Sequence, residues 1–276
     1  ADGLLPFALI EKHVLSPDSF LLRFSLPPPR RWLAEDTSLP TCIKVAYPDG
    51  LSEGQSLEKS YSPISHPATE GVVDLLVKAY PPRPGGGVGA YLCSLEVGDV
   101  MHAALKSKRT MHGSAAVLGR WTRLGLVAGG TGIAPLLQIA RLVLANDTGI
   151  ASVHLLSINR NEADILVRDE IERLAAEYPE RFKASFSLTG PTASPDWTGY
   201  TGRGSLGMVA KTLPPSTKDG TTMVLVCGTD GFVDTWGGPV IRGPRKPDGT
   251  RGGKVQGPLL GLLAQAGYDA SEVFKY

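Results

Sequence analysis

Leu124-Gly125-Leu126-Val127-Ala128-Gly129-Gly130-Thr131-Gly132-Ile133-Ala134-Pro135 lies near the middle of a chain of 276 residues. Leu124–Ala128 is a short apolar run of the kind that forms a fully buried strand. Pro135–Ala145 reads as a helix, with Leu136, Leu137, Ala140, Val143 and Leu144 along one side. A glycine turn between strand and helix leaves free backbone N–H groups at a helix N-terminus, where the macrodipole is also positive, and both favour a phosphate. The turn nearly spells G-x-G-x-x-G, but Pro135 stands at the third glycine. Proline suits a first helical turn, where its missing N–H would have no partner. The acidic residue expected about 20 residues on, to hold a ribose, is absent; the next strand ends in Asn159-Arg160. On its own the turn reads either as a nucleotide cradle or as a plain tight turn.

Working outward, strand and helix alternate. Ser152–Ile158, Phe182–Leu188 and Met223–Cys227 read as strands, and Ser205–Leu213 and Pro258–Ala266 as helices. Asp164 is a candidate cap for a helix that Pro179 stops after Tyr178. Such alternation predicts βαβ units, hence a doubly wound parallel sheet with helices on both faces. Before about Leu118 the texture differs. Ala8–Leu15, Ser19–Leu26, Ile43–Tyr47, Tyr61–Ser65, Val72–Tyr80 and Asp99–Leu105 are short strands separated by Gly, Pro and Asp, with Pro27–Trp32 and Ser52–Leu57 as loops. This spacing predicts an antiparallel barrel. The expected domains are 1–116 and 117–276.

Composition narrows the function. A hydrophobic content of 42% supports a sizeable core, and a net charge of +1 excludes general electrostatic binding of nucleic acid. Three cysteines, Cys42, Cys93 and Cys227, form no disulfide framework and no zinc spacing, which points to a reducing, intracellular compartment. No metal site is expected. No stretch has the length and apolarity of a membrane-spanning helix. The chain begins at Ala1 rather than Met, which leaves room for an anchor or targeting segment ahead of it.

A second glycine turn, Cys227-Gly228-Thr229-Asp230-Gly231-Phe232, also follows a buried strand. In an open parallel sheet the carboxyl ends of strands line one crevice, so the two turns converge on one ligand. Cys227 by itself reads either as a buried structural thiol or as part of that site.

Three stretches of the barrel half join these two: Lys59-Ser60-Tyr61-Ser62-Pro63, Val77-Lys78-Ala79-Tyr80, and Gly85-Gly86-Gly87-Val88-Gly89-Ala90-Tyr91-Leu92. In this order the five motifs resemble the ferredoxin–NADP reductase superfamily, and within it the NADH–cytochrome b5 reductases. Arg160–Leu174 is similar to a helix of that subfamily, and the resemblance spans roughly Phe7–Cys227. It implies an antiparallel Greek-key FAD-binding barrel followed by an NAD(P)-binding α/β domain, with flavin and nicotinamide meeting at the cleft. The implied roles follow the motifs. Tyr61 would pack on the isoalloxazine, Ser62, followed by Pro63, would hydrogen-bond near flavin N5, and Lys59 would pair with the pyrophosphate. Val77 and Lys78 would line the flavin through their backbone, and Tyr80 would lie along its ribityl or pyrophosphate region. Gly86, Gly87, Val88 and Gly89 would form the pyrophosphate loop ahead of an Ala90–Leu95 helix. Thr131 would touch flavin and nicotinamide, with Gly130, Gly132 and Ile133 at the nucleotide. Cys227 would sit beside nicotinamide C4, flanked by Gly228 and Phe232, in a geometric rather than nucleophilic role. Ser62, Thr131 and Cys227 are thus the expected catalytic residues.

Several positions depart from the family pattern. Lys59 replaces an arginine and loses its bidentate fork. The pyrophosphate loop lacks the usual lysine and serine, and Ala104–Arg109 replaces a common flavin-side turn. Thr189-Gly190 stands where NADH users carry an acid that repels a 2′-phosphate, so NADH is expected with NADPH tolerated. Gly237–Gln256 is an insertion with six glycines, three prolines and five basic residues (Arg242, Arg245, Lys246, Arg251, Lys254) against Asp248. It reads either as a solvated loop or as a docking surface for an acidic haem protein such as cytochrome b5. Phe274 and Tyr276 are similar to the superfamily's aromatic C-terminus, or form a packed tail. The resemblance implies a monomeric enzyme without nucleic-acid partners, on the cytoplasmic face of the endoplasmic reticulum or outer mitochondrial membrane if an anchor precedes Ala1. Other acceptors (quinone, a nitrate-reductase-type haem, a desaturase chain) and a non-catalytic nucleotide-sensing scaffold are the competing readings.

Overall fold

Twelve of the strands collect into two six-stranded sheets, one antiparallel and one parallel. The computed structural model describes residues 3–36, 40–47, 58–79, 87–106, 121–146, 148–190, 194–244 and 253–276. The chain divides into two units, one of Ala1–Val117 with Leu137–Ala145, the other of Leu118–Leu136 with Asn146–Tyr276. The expected boundary at 116/117, the Ser52–Leu57 loop, Tyr80, Gly85, Gly86 and the remodelled stretch from Ser107 lie outside the described residues.

In the first unit, β1 (Leu5–Ser16), β2 (Ser19–Ser25), β3 (Ile43–Ala46), β4 (Glu58–Tyr61), β5 (Val72–Lys78) and β6 (Val100–Leu105) form a barrel-like sheet in the order β4-β3-β6-β1-β2-β5. Every adjacent pair is antiparallel, and β6 returns by a long connection to lie between β1 and β3, as in a Greek key. Alternate residues face inward: Phe7, Leu9, Leu22, Phe24, Ile43, Val45, Val73, Leu75 and Val77 share one core with Val88 and Leu92 of the helix α1 (Val88–Ser94). The expected strand Tyr61–Ser65 stops at Tyr61 because Pro63 has no N–H to give a ladder. The chain still follows β5, since Ile64 N donates to Asp74 O at 2.7 Å and Asp74 N donates to Ser65 Oγ at 3.0 Å. These bonds join the two edges of the sheet.

The second unit holds β7 (Arg123–Gly129), β8 (Ser152–Asn159), β9 (Phe182–Leu188), β10 (Tyr200–Thr201), β11 (Thr222–Cys227) and β14 (Val273–Lys275), all parallel, in the order β10-β9-β8-β7-β11-β14. Val127, Leu156, Ile158, Val224 and Val226 meet side chains of α4 (Leu206–Thr212), α5 (Asp230–Gly237) and α6 (Gly261–Gln265) on one face, and the alternate Leu126, Leu155 and Leu225 are equally buried. Burial on both faces explains why these strands read as continuous apolar runs.

Several expected boundaries are corrected. Helix α2 (Ile133–Ala145) starts two residues before Pro135, which is still within the first turn that tolerates proline. Asp164 ends a 3₁₀ turn, Glu162–Asp164, and is not the cap of the following helix, whose N-cap is Val167; Arg160 donates to the Asp164 carboxylate from Nε at 3.0 Å and Nη2 at 3.1 Å. Helix α3 (Arg168–Glu177) starts later, after Val167 at φ 54°. The expected Pro258–Ala266 helix shortens to Gly261–Gln265. Gly237–Gln256 is not a loop throughout: β12 (Val240–Arg242) and β13 (Lys254–Gln256) pair as an antiparallel hairpin, and Gly237 belongs to α5. Residues 245–252 of the insertion lie outside the described residues.

Candidate nucleotide and flavin sites

Strand order reverses at β7: the chain runs outward through β8, β9 and β10, then returns to β11 on the other side. The crevice at such a switch point is where open α/β sheets bind ligands. Two glycine turns line it, because Cys227 at the end of β11 is in register with Ala128 of β7. Gly130–Gly132 forms a 3₁₀ turn, and Gly130 has φ +53°. Gly132 passes so close to β11 that a Cβ would collide with the Cys227 carbonyl, 2.5 Å from its carbon and 2.8 Å from Gly228 N. No side chain fits there, so this position of the turn requires glycine. The half-buried Phe232 ring packs on the backbone of Gly129 and Gly228, and the preceding Thr229 hydroxyl caps α5 by accepting from Phe232 N. Thr131 is half-buried at the mouth, while Ile133 turns into the interior.

Cys227 is partly exposed, yet burial pushes its thiol up to about 12, with the Lys254 ammonium pulling weakly the other way. It is therefore a neutral, soft contact at physiological pH and a poor nucleophile. At the ends of β8 and β9, Thr189 N donates to Asn159 O at 2.9 Å and Gly190 N to Arg160 O at 2.7 Å. Thr189 thus stands beside Arg160, whose guanidinium Asp164 engages.

The insertion is anchored to this unit. Lys275 is buried, and its Nζ donates to Gly237 O (3.1 Å), Gly257 O (2.9 Å) and Pro258 O (2.9 Å) at the two roots of the hairpin. Gln256 pairs with the Lys275 backbone in both directions, at 2.9 and 2.8 Å. Phe274 and Tyr276 stack edge-on with centroids 5.2 Å apart, in and just after an edge strand rather than a loose tail.

In the first unit, the barrel motifs also gather. Tyr61 is buried, with the Lys59 ammonium 5.4 Å from its ring centroid. A Cβ on Gly89 would lie 3.0 Å from Lys78 O and 3.5 Å from the Tyr61 hydroxyl, so α1 begins pressed against the end of β5 and Tyr61. Gly87 precedes α1 without a side-chain cap. Val77 and Val88 are buried in the same core cluster as Tyr61. Lys78 pairs with Asp18 at 3.0 Å. This strand end, aromatic and glycine-initiated helix fit a flavin nucleotide, since backbone amides can approach a pyrophosphate that side chains would block.

Pro63, next to the half-buried Ser62, is held by a residue outside the motifs. Gln138 of α2, grouped with the first unit and fully buried, donates from Nε2 to Pro63 O. Its clue was visible: Gln138 and Arg141 are the polar residues of an otherwise apolar helix, spaced i, i+3.

Comparison with known proteins agrees with this geometry. Residues 6–105 match the oxidoreductase FAD-binding domain family and residues 126–236 the oxidoreductase NAD-binding domain family. An NADH-cytochrome b5 reductase-like protein of Arabidopsis thaliana is 30% identical over 278 aligned positions, covering 100% of this chain and 77% of its own length. NADH-cytochrome b5 reductase 1 of Aspergillus terreus is 36% identical over 237, covering 82% and 73%. The fold is similar to that of the cytochrome b5 reductase domain of Ulva prolifera nitrate reductase, with a TM-score of 0.72, 23% identity, and 99% and 97% of the two chains covered. The barrel, the switch-point crevice and these matches together make the chain a member of the NADH–cytochrome b5 reductase family, an oxidoreductase with FAD- and NAD-binding domains.

Proposed function

We propose that the protein passes electrons from NADH, through hydride transfer to flavin N5, to a haem acceptor of the cytochrome b5 type, with domains dividing at 116/117. The single observation that carries the proposal is the pair of glycine turns at the switch point, where Gly132 packs on the Cys227 backbone and the buried Cys227 thiol stays neutral.

Bound FAD supplies chemistry no side chain has: it accepts two electrons as hydride and releases them singly. The chain does the rest. Tyr61 presents its ring to the isoalloxazine. Ser62 holds a hydroxyl toward N5. Lys59 offers charge to the pyrophosphate, and Gly87, Val88 and Gly89 offer amides. Val77 and Lys78 line the flavin through their backbone; Tyr80 and Gly86 complete this set by position in the sequence. On the nucleotide side, Gly130, Gly132 and Ile133 give backbone to the pyridine nucleotide, and Thr131 gives a hydroxyl. Cys227, with Gly228 and Phe232, fixes the nicotinamide so that hydride donor and acceptor align. Neutral Thr189 permits NADPH beside NADH.

The insertion supports the acceptor assignment. Its five basic residues against Asp248 suit an acidic partner, and its roots are fixed by Lys275. Among the described residues no helix is long and apolar enough to cross a membrane. We take the working form to be a monomer that needs no nucleic acid.

Stopped-flow absorbance on FAD-loaded protein tests the whole reading. NADH should bleach the flavin rapidly, NADPH more slowly, and cytochrome b5 should reoxidise it with a rate that falls as salt rises. Protein that takes up no FAD, or flavin that NADH leaves oxidised, defeats the proposal.

A further inference from the structure

The backbone after Tyr61 leaves the sheet at the point where the proposed flavin contact needs it most rigid. Pro63 contributes no N–H, and Ser62 lies beyond the last residue of β4. A segment without ladder bonds holds a fixed position only if other groups satisfy and restrain it.

Gln138 does this. Its Oε1 accepts from Thr41 N at 2.8 Å, its Nε2 donates to Thr41 O at 3.3 Å, and the same Nε2 donates to Pro63 O. The amide therefore pairs with Thr41 as a strand residue would and reaches Pro63 with its second proton. The side chain is entirely buried, so no water competes for these bonds. One turn on, Arg141 Nη1 donates to Ile64 O, and Ile64 N is held by Asp74 O at 2.7 Å from the opposite side. Pro63 and Ile64 are gripped between a helix and a strand, and the half-buried Ser62 directly precedes them.

We infer that Gln138 is a positioning residue for the flavin edge: it fixes the Tyr61–Pro63 backbone and, through it, the Ser62 hydroxyl. This rests on the reading that Tyr61 and Ser62 contact the flavin. Amide chemistry is required at this position. Glutamate keeps the acceptor for Thr41 N but, when ionised, presents carboxylate oxygens to the Thr41 and Pro63 carbonyls. Protonated glutamate recovers one donor. Leucine leaves Thr41 N, Thr41 O and Pro63 O without the partner they now have.

The test uses full-length protein with FAD. Uptake by the parent is measured first, and a parent that binds no FAD removes the underlying reading and this inference together. Given uptake, Gln138→Leu should weaken FAD binding by about tenfold or more and shift the flavin's visible band and midpoint potential, with the KM for NADH unchanged. Gln138→Glu should show the same defect at high pH and recover as its carboxyl protonates, a pH dependence the parent lacks. If Gln138→Leu does not fold, the Gln138→Glu titration decides alone. Parental FAD affinity, spectrum and potential across the pH range in a folded variant would overturn the proposal.

Discussion

Gly132 and Cys227 are joined backbone to backbone: a single added methyl on Gly132 would overlap the Cys227 carbonyl. The two glycine turns are therefore packed against each other with no room for a Cβ between them. Gly132→Ala should destabilise the second unit by about 1–3 kcal/mol or more, since rigid backbone rather than a flexible side chain stands in the way. A thermal melt checks the stability. Isothermal titration with NADH checks the site, and should show a weakened affinity even at temperatures where the variant is fully folded.

The raised Cys227 thiol makes a second prediction. A group pushed up to about 12 stays protonated through the range in which enzymes are assayed. The pH profile of flavin reduction should therefore contain no ionisation that Cys227→Ser removes. On the proposed role, that variant should keep FAD and slow reduction by NADH about ten- to a hundredfold through misplacement alone. Iodoacetamide should label Cys227 slowly in the folded protein; rapid labelling at neutral pH would contradict the assignment.

Glu272 yields a stability prediction with a definite sign. Burial alone would raise its pKa, but hydrogen bonds from the Ser216 hydroxyl and from the Asp269, Lys218 and Thr217 amides outweigh it and lower the value. A depressed carboxylate stabilises the fold above its unfolded pKa, and that contribution is lost as pH falls through the folded one. Glu272→Gln should cost about 1–3 kcal/mol near neutrality. The gap between variant and parent in urea unfolding should close in acid.

Lys275→Met removes three donors from the carbonyls of Gly237, Gly257 and Pro258. The expected cost is about 1–3 kcal/mol, with proteolysis inside 237–258 accelerated well beyond what the global change explains. The folded pKa of Lys275 is lowered, burial being the cause and Asp234 the opposing influence. A cation with a depressed pKa costs stability below its folded value, so the parent should gain stability as pH rises through that value towards the unfolded one. The methionine variant should lack that gain.

What could be read from residues alone follows a physical division. Leu124–Ala128 and Met223–Cys227 announced themselves because strands buried on both faces are apolar throughout. Ser205–Leu213 was legible as a helix and α4 spans Leu206–Thr212, where the Ser205 hydroxyl caps it by accepting from Met208 N at 3.1 Å. Asp164 misled because the helix starts four residues later, at Arg168, while Arg160 engages the Asp164 carboxylate. The hairpin was hidden by its composition: three-residue strands count for little locally, and Lys275 and Gln256, which fix them, lie at or beyond the far end of the insertion. Gln138 was invisible as a contact because Thr41 and Pro63 are distant in sequence. The two glycine turns after β7 and β11 were legible for the opposite reason, since each is a local run of sequence at the end of a buried strand.

Strand β14 closes one side of the parallel sheet, where unpaired N–H and C=O groups would invite another chain to add a strand. The Gln256 amide occupies that position at Lys275, taking its N–H and its carbonyl together. The insertion therefore acts as an edge guard as well as a charged surface. Trimming it to remove the basic residues would unmask a strand edge, and self-association of such a shortened chain would reflect that exposure rather than any lost charge.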